Sequence, residues 1–190
     1  MTKIETEYKL EITAKEFAAS ANYLQEAKFI KKGTSHLEDY FFNIQKFDEK
    51  GWNFLRIRVY DGSRYEHTEK IWKHSASGER IREEIERVSS KEELESLIGV
   101  SQPLRLSKDR TDYAGVTLDY PAVYSLDVVV FPDETRYFVE CEIQVPEGMS
   151  SSIRPHLKES MLQTLHLSDR PEGIGMMRLV LSKSREGADD

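Results

Sequence analysis

Charged residues recur at every second position in several segments of this chain, and this pattern constrains the fold more than any other feature. The opening segment "IETEYKL", residues 4–10, places Glu5, Glu7 and Lys9 in strict alternation with its other residues. Because successive side chains of a β-strand point to opposite faces, these three charges would share one face of a strand. We therefore expect a strand with one charged face.

The same period of two appears in four later segments. Residues that would share a face are Arg56 with Arg58, Arg80 and Arg82 with Glu84 and Glu86, Lys108 with Arg110, and Glu140 with Glu142. Many of the intervening residues are apolar, as at Ile57 and Cys141. An ordinary half-buried sheet also alternates in this way, with its charged face in water. Any single strand therefore has two interpretations.

Strand-like segments recur along the chain and are separated by turn signals such as "YDGS", "SASG", "YAG" and "FPDE". After the opening segment they cover residues 37–44, 52–60, 64–72, 79–88, 103–113, 115–120, 123–131 and 135–145, with a weaker signal at "GMMRLVLS". Three helices are predicted over residues 13–29, 90–98 and 151–167. This arrangement indicates a mostly antiparallel meander.

Helix signals are clear at two of these segments. Thr13 followed by Glu16 forms a capping box, and Ser90 followed by Glu93 repeats that spacing. In the third segment Pro155 must lie in the first turn or disrupt the helix. The sequence shows no domain boundary, so we expect one domain over residues 1–183 and a polar tail over residues 184–190.

About eight consecutive antiparallel strands are enough to curl and close. If helices cover the apolar faces, the charged faces would line a polar tunnel. The expected fold class is α+β, an eight-stranded antiparallel closed β-barrel with flanking helices. The charged residues that would line it are the bases Lys9, Arg56, Arg58, Lys70, Arg82, Lys108 and Arg110, and the acids Glu5, Glu7, Glu84, Asp127, Glu140 and Glu142.

A bound ligand would explain why so many charges are buried, because buried ion pairs contribute little net stability by themselves. Guanidinium groups pair bidentately with phosphate oxygens, and ammonium groups add compact positive charges. Carboxylate oxygens are the ligands that Mg²⁺ and Mn²⁺ prefer, and these cations bridge carboxylates to phosphates. The two requirements meet in a metal-bound triphosphate.

Composition excludes several other classes. A formal net charge of -7 disfavours general binding to nucleic acid or to an anionic membrane. The chain contains no apolar run near the ~20 residues of a membrane span and lacks signal-peptide features at its start, so a cytoplasmic location is expected. Cys141 is the single cysteine, which excludes an internal disulfide, and the five histidines lack metal-ligand spacing.

The motifs together resemble those of CYTH-domain proteins, in the triphosphate tunnel metalloenzyme group. The opening Glu-x-Glu-x-Lys is followed in the family's order by "LEDYFFN", "LRIR", "HTEK", "REEIE", "SKDR", "SLD" and "ECE". The resemblance covers roughly residues 4 to 145. It implies a tunnel whose two ends have basic and acidic linings.

Residue roles are carried over from this resemblance position by position. It implies a divalent metal shell of Glu5, Glu7, Asp127, Glu140 and Glu142, holding Mg²⁺ or Mn²⁺. It implies a triphosphate cradle of Lys9, Arg56, Arg58, Lys70, Arg82, Lys108 and Arg110. Glu5, Glu7, Lys9, Glu140 and Glu142 are the expected catalytic residues. A bulge could exchange Lys73 with Lys70, and Glu84 and Glu86 could bind metal or brace neighbouring bases.

Three functions fit these residues. The first is a metal-dependent hydrolase of inorganic triphosphate or of an organic triphosphate such as thiamine triphosphate. The second is a class IV type adenylate cyclase, which would make cyclic AMP and pyrophosphate from ATP. The third is a non-catalytic polyphosphate or nucleotide-binding module. The expected partner is a small-molecule triphosphate, and a homodimer remains open.

Overall fold

The computed structural model describes residues 3–48, 51–74, 80–131, 133–146, 149–173, 176 and 179–182, and only the backbone of residues 3, 4, 80–82, 150 and 151. The strands are β1 (Lys3–Ile12), β2 (Ile30–Lys46), β3 (Trp52–Tyr60), β4 (Arg64–His74), β5 (Arg80–Ser89), β6 (Leu104–Thr117), β7 (Tyr120–Val130) and β8 (Thr135–Pro146). The helices are α1 (Ala14–Glu26), α2 (Lys91–Val100) and α3 (Ser150–Thr164).

All eight strands belong to one sheet in the order β1-β8-β7-β6-β2-β3-β4-β5. Strands β2 to β5 and strands β6 to β8 are neighbours in chain order, so the predicted meander is present as two runs. Adjacent strands within each run are antiparallel, as are β1 and β8. Within the described residues β1 and β5 each have one neighbouring strand. The eight strands are confirmed, and closure into a barrel stays a prediction.

The chain divides into two compact units. Unit 1 comprises Met1–Ser35 and Lys108–Gly175, and unit 2 comprises His36–Ser107 and Met176–Asp190. The tail boundary predicted between residues 183 and 184 lies outside the described residues.

The core of unit 1 follows directly from the alternation in the sequence. Tyr8, Leu10 and Ile12 of β1 are buried, and the alternate residues of β7 and β8 join them in one apolar cluster. The members contributed by the helices are Leu24 of α1 and Ile153, Leu157 and Met161 of α3. The prediction that helices cover the apolar strand faces is therefore confirmed for this unit.

The helix caps agree with the sequence signals, and Pro155 does not disrupt its helix. The Thr13 hydroxyl accepts from the Glu16 amide at 3.2 Å, and the Glu16 carboxylate accepts from the Thr13 amide at 2.8 Å, which completes the capping box. The Ser90 hydroxyl accepts from the Glu93 amide at 3.3 Å. Pro155 lies inside α3, beyond the first turn, and the helix continues to Thr164.

The predicted turn at "YAG" is wrong, because β6 runs through it to Thr117. Gly115 faces the ring of Phe29, and a Cβ atom built at this position would lie 2.5 Å from that ring. The glycine therefore permits close packing rather than a turn. The turn comes at Leu118 and Asp119, whose φ angles are 50° and 65°.

The strand predicted at "GMMRLVLS" is also wrong where the structure describes it. Residues 176 and 179–182 are helical. The buried side chains there are Met176, Leu179 and Val180. Their spacing of one helical turn explains why an apolar run that resembles a strand adopts a helix.

The core of unit 2 is smaller. Tyr40 and Phe42 of β2 and Ile57 and Val59 of β3 form a buried cluster with Leu94 of α2. As in unit 1, the apolar strand residues pack under a helix. Within the described residues, no helix combines the length and apolar character needed to cross a membrane.

Candidate functional site

Four neighbouring strands of unit 1 bring charged residues from distant parts of the chain into register. Lys9 of β1 lies opposite Glu140 of β8, and Arg110 of β6 lies opposite Asp127 of β7. Because the alternate residues of these strands fill the apolar core, the charged side chains occupy the other face. Five charged residues of this face are called the unit 1 network below, and they are Lys9, Lys108, Arg110, Asp127 and Glu140.

Each carboxylate of the unit 1 network contacts two bases. Asp127 accepts two bonds from the Arg110 guanidinium, at 2.7 and 2.8 Å, and one from the Lys108 ammonium at 2.9 Å. Glu140 pairs with Lys9 and lies 3.8 Å from Nη2 of Arg110. Three basic groups thus share two acidic groups.

Burial makes these contacts stronger than those of an ordinary charged surface. The side chains of Lys108 and Asp127 are each 1% exposed, and that of Glu140 is 9% exposed. Burial alone would raise the pKa of Asp127, but Lys108 and Arg110 hold it well below its usual range. The interpretation in which the charged face lies in water is therefore wrong for these residues.

Further along the same face the acidic residues crowd together. Glu7 of β1 lies opposite Glu142 of β8. Burial, and then the neighbouring charge of Glu140, raises the pKa of the Glu142 carboxyl, and a hydrogen bond with Glu5 acts against this rise. A carboxyl group whose ionisation is disfavoured by burial and by a neighbouring acid is one that a cation would stabilise in its charged form.

The expected metal shell is only partly consistent with this geometry. Within the described residues, no group of three or more His, Cys, Asp or Glu side chains is arranged to hold a metal ion. Asp127 is engaged by Lys108 and Arg110. Glu140 is likewise engaged, by Lys9. Carboxylate oxygens, which Glu5, Glu7 and Glu142 also supply, are the ligands that a hard divalent cation prefers.

Unit 2 contains a second set of predicted site residues, and the best formed contact is a buried ion pair. Arg58 of β3 donates two bonds to Asp39 of β2, at 2.6 and 2.9 Å. The Asp39 side chain is 1% exposed. Burial alone would lower the pKa of Arg58, but Asp39 raises it well above its ordinary value.

Arg56, two residues earlier on the same strand, is less well satisfied. Its Nη2 donates to the Thr68 hydroxyl at 2.7 Å and lies 3.5 Å from Glu66. Its Nε is buried and has no hydrogen-bond partner within the described part of the chain. Burial, and then the charge of Arg58, lowers the pKa of Arg56. The charged form of Arg56 is therefore less stable than that of an ordinary arginine.

Lys70 and Lys73 of β4 pair with different residues of β5. Lys70 lies opposite Glu84, with 3.5 Å between its Nζ and the carboxylate. Lys73 pairs instead with Glu83, and both of those side chains are about half exposed. The β4–β5 register is continuous, so no bulge exchanges the two lysines. Arg82 is in β5, opposite Trp72, and its side chain lies outside the described residues.

Sequence reasoning missed two acids on the charged faces. Asp39 appeared only as part of the "LEDYFFN" motif, although an acid directly before an aromatic run is a signal for a buried partner. Asp112 of β6 was also missed, and it accepts from the Ser125 hydroxyl at 2.7 Å. Cys141 is buried as expected, and burial raises its pKa to about 12.

Comparison with known proteins identifies the family. The CYTH domain model matches residues 3–166. No curated protein matches the chain at a significant level. Among solved structures, the PH1819 protein from Pyrococcus horikoshii OT3 is 20% identical with a TM-score of 0.65, and the match covers 95% of this chain and 99% of that one.

Two further similar structures belong to candidate cyclases. HpAC1 from Hippeastrum, a candidate adenylyl cyclase that reveals a dominant triphosphatase activity, is 20% identical with a TM-score of 0.64, covering 95% of this chain and 96% of that one. A candidate adenylate cyclase from Bacillus halodurans is 19% identical with a TM-score of 0.57, covering 94% and 98%. At these identities the similarity shows the fold. Because the family model matches most of its length, the chain belongs to the CYTH domain family.

Proposed function

We propose that the protein is a divalent-metal-dependent hydrolase of triphosphates, acting on inorganic triphosphate or on an organic triphosphate such as thiamine triphosphate. The observation that carries this proposal is the unit 1 network, in which three bases share two buried acids. Three bases that are fixed beside one another favour a bound anion. Phosphate oxygens match the fork of Arg110 and the ammonium groups of Lys9 and Lys108.

The acidic end of the same face supports the metal part of the proposal. Glu5, Glu7, Glu140 and Glu142 would hold Mg²⁺ or Mn²⁺, and the raised pKa of Glu142, caused first by burial, supports this role. A bound divalent cation would supply a Lewis acid that stabilises charge on phosphate oxygens and activates water. Asp127, also expected as a ligand, would act first by holding Lys108 and Arg110 in place.

The chain's own residues would contribute mainly through position and charge. Lys9, Lys108 and Arg110 would bind phosphate oxygens and neutralise the charge that develops on them during transfer to water. Their ion pairs hold these side chains in place before the substrate arrives, so they need to reorganise less when it binds. No nucleophilic side chain is needed, and Cys141 is buried in the apolar core.

The resemblance also assigns Arg56, Arg58, Lys70 and Arg82 of unit 2 to phosphate binding, and this assignment stays a prediction. The buried, incompletely bonded Nε of Arg56 is consistent with a role in binding an anion. Arg58→Ala should weaken triphosphate binding if the assignment is right. Unchanged affinity and rate in this variant would remove Arg58 from the cradle.

A class IV type adenylate cyclase is the second candidate, because the same bases and acids could hold ATP. The candidate cyclase from Bacillus halodurans supports testing it. The dominant triphosphatase activity of the Hippeastrum protein supports testing hydrolysis first. The two reactions differ in their products, since cyclisation gives cyclic AMP and pyrophosphate, whereas hydrolysis gives orthophosphate.

The test is phosphate release from inorganic tripolyphosphate, thiamine triphosphate and ATP with Mg²⁺, with Mn²⁺ and with excess EDTA. We expect release with at least one substrate, and loss of release in EDTA. Arg110→Met should raise KM at least tenfold, whereas Arg105→Met, at a largely exposed arginine, should not.

Three outcomes would count against hydrolysis. Cyclic AMP as the main product from ATP would establish the cyclase instead. Equal tripolyphosphate binding by the wild type and Glu140→Ala, with turnover in neither, would favour a non-catalytic module. Absence of phosphate release from every substrate would contradict the proposal.

A further inference from the structure

The outer edge of β1 is covered by a short segment that follows α3. Within the described residues β1 has one neighbouring strand, β8, so its other edge is open to different donors. Three successive outward carbonyls of β1 each accept a hydrogen bond from beyond the sheet. The donors are Arg154 Nε to Glu7 (3.3 Å), the Gly173 amide to Lys9 (2.8 Å) and Arg170 Nη1 to Glu11 (3.4 Å).

This spacing follows from antiparallel geometry. Along an antiparallel strand, successive carbonyls point alternately toward the partner strand and away from it. Glu7, Lys9 and Glu11 are alternate residues, so their carbonyls share the outer edge. Their side chains also share the charged face of β1. The donors therefore hold the backbone of Glu7 and Lys9, whose side chains reach the acidic end and the unit 1 network, and of Glu11, whose carboxylate lies 3.8 Å from Arg136.

The segment at residues 169–173, called the edge strap below, is itself tied to both helices of unit 1. Asp169 pairs with Lys158 of α3 at 2.7 Å, and Glu172 pairs with Arg154. Arg170 donates to the Glu16 carboxylate of α1 at 2.6 and 3.0 Å. Each of the three charged residues of the edge strap thus has an anchor.

Gly173 packs closely against the backbone of β1. A Cβ atom built at Gly173 would lie 3.0 Å from the Glu11 amide nitrogen and 3.2 Å from the Leu10 carbonyl carbon. Both neighbours are backbone atoms of an ordered strand, so they cannot move aside as a flexible side chain would. Any larger residue here would push the edge strap away from β1.

We propose that the edge strap and Arg154 position Glu7 and Lys9 for triphosphate and metal binding, with Arg170 and Gly173 as positioning residues. This inference rests on the proposed function. A shift of β1 by a fraction of an ångström would move the Lys9 ammonium relative to Glu140, and the Glu7 carboxylate relative to Glu142. Catalytic geometry is sensitive to displacements of this size.

The test compares Gly173→Ala with Gly33→Ala, a matched control whose added Cβ would meet nothing within 4 Å. Both are assayed with tripolyphosphate at a temperature where they are fully folded. Gly173→Ala should lower kcat about tenfold and raise KM about tenfold, because the displaced groups would hold both the metal and the triphosphate less well. Gly33→Ala should match the wild type.

A second pair of variants separates positioning from simple loss of an ion pair. Arg170→Lys keeps a cationic donor near Glu16 and should retain at least half of the wild-type kcat. Arg170→Met should lose about tenfold. Equal kcat in Arg170→Met and the wild type would overturn the role of Arg170.

Hydrogen exchange provides the structural readout. The amide of residue 173 should exchange faster in Gly173→Ala than in the wild type, because its bond to the Lys9 carbonyl is weakened. Faster exchange with unchanged kcat would mean that the edge strap only stabilises the fold, and the proposal would be overturned. Unchanged exchange together with unchanged kcat would overturn it as well.

Calorimetry distinguishes failure of this inference from failure of the proposed function. If the wild type releases no phosphate, the proposed hydrolase is wrong, and the edge strap is judged by tripolyphosphate affinity in Mg²⁺. Gly173→Ala should then bind about tenfold more weakly than the wild type and Gly33→Ala. Equal affinity, or no binding by the wild type, would overturn the proposal.

Discussion

The two charged clusters of the molecule arise from the same strand alternation but balance their charges differently. In the unit 1 network Asp127 and Glu140 are each shared between two bases. In unit 2 the principal contact is the bidentate pair between Arg58 and Asp39. A shared carboxylate neutralises each base only in part, whereas a bidentate pair is close to neutral by itself.

This difference separates two uses of a buried charge. The unit 1 network is suited to accept an anion, because three bases lie together in it and are already fixed in place. The Arg58–Asp39 pair has less need of a further partner, so we expect it to contribute more to stability than to anion binding. Arg56, whose Nε is buried without a partner in the described part of the chain, is the base of unit 2 that departs from this rule.

The largest expected effect follows substitution of Asp127, the acid that Lys108 and Arg110 share. Asp127→Asn removes the negative charge between Lys108 and Arg110 while keeping the side-chain volume. Loss of one partner from a buried ion-pair network costs about 3–5 kcal/mol. We expect the free energy of unfolding, measured by urea denaturation, to fall by that amount.

Asp119→Asn is the matched control for this change. Asp119 is exposed and adopts a positive φ angle, which asparagine tolerates well. Its free energy of unfolding should stay within about 0.5 kcal/mol of the wild type. A loss below about 1 kcal/mol in Asp127→Asn would contradict the network as an electrostatic unit.

The next effect contrasts the two arginines of β3. Arg58→Met leaves the buried Asp39 carboxylate without its bidentate partner and should reduce the free energy of unfolding by about 2–4 kcal/mol. Arg56→Met removes a base that is incompletely bonded and whose pKa is lowered by burial, and should cost about 1 kcal/mol or less. Urea denaturation of both variants measures the difference. Equal losses would mean that the bonding difference between the two side chains has no energetic counterpart.

A smaller effect is expected where an ion pair is only partly buried. Hydrogen bonds from Arg170, and then those from Thr13 in the capping box, lower the pKa of Glu16 to about 2. A lowered folded-state pKa stabilises the fold above the unfolded-state value of about 4.5. This contribution is lost as the pH falls from about 4.5 to 2.

Glu16→Gln measures that contribution. At pH 7 it should lower the free energy of unfolding by about 1–2 kcal/mol, after allowance for solvent screening. The difference from the wild type should shrink steadily as the pH falls toward 2. A difference that is the same at pH 7 and pH 2.5 would show that the Glu16 charge is not responsible.

Much of the fold could be predicted because local signals and tertiary packing agree. The span of β3 was predicted residue for residue, and the capping box of α1 was predicted from Thr13 and Glu16. The alternation also predicted which strand faces would be charged. These features depend on backbone geometry and on neighbouring residues, which the sequence shows directly.

The features that could not be predicted depend on distant partners. Gly115 resembled a turn residue, because nothing local reveals that the Phe29 ring packs against it. The true turn uses Leu118, a residue that rarely adopts a positive φ angle. The role of Asp127 as an anchor for two bases depends on the β6–β7 register, which places Arg110 opposite it.

The central claim is that the charged face of unit 1 holds a divalent cation together with a triphosphate. Electron paramagnetic resonance of Mn²⁺, titrated in the presence of inorganic tripolyphosphate, tests it most directly. We predict that the wild type and the exposed control Glu159→Gln bind Mn²⁺ with equal affinity, and that Glu142→Gln binds at least tenfold more weakly. Equal Mn²⁺ affinity in all three proteins, or no Mn²⁺ binding by the wild type, would contradict the claim.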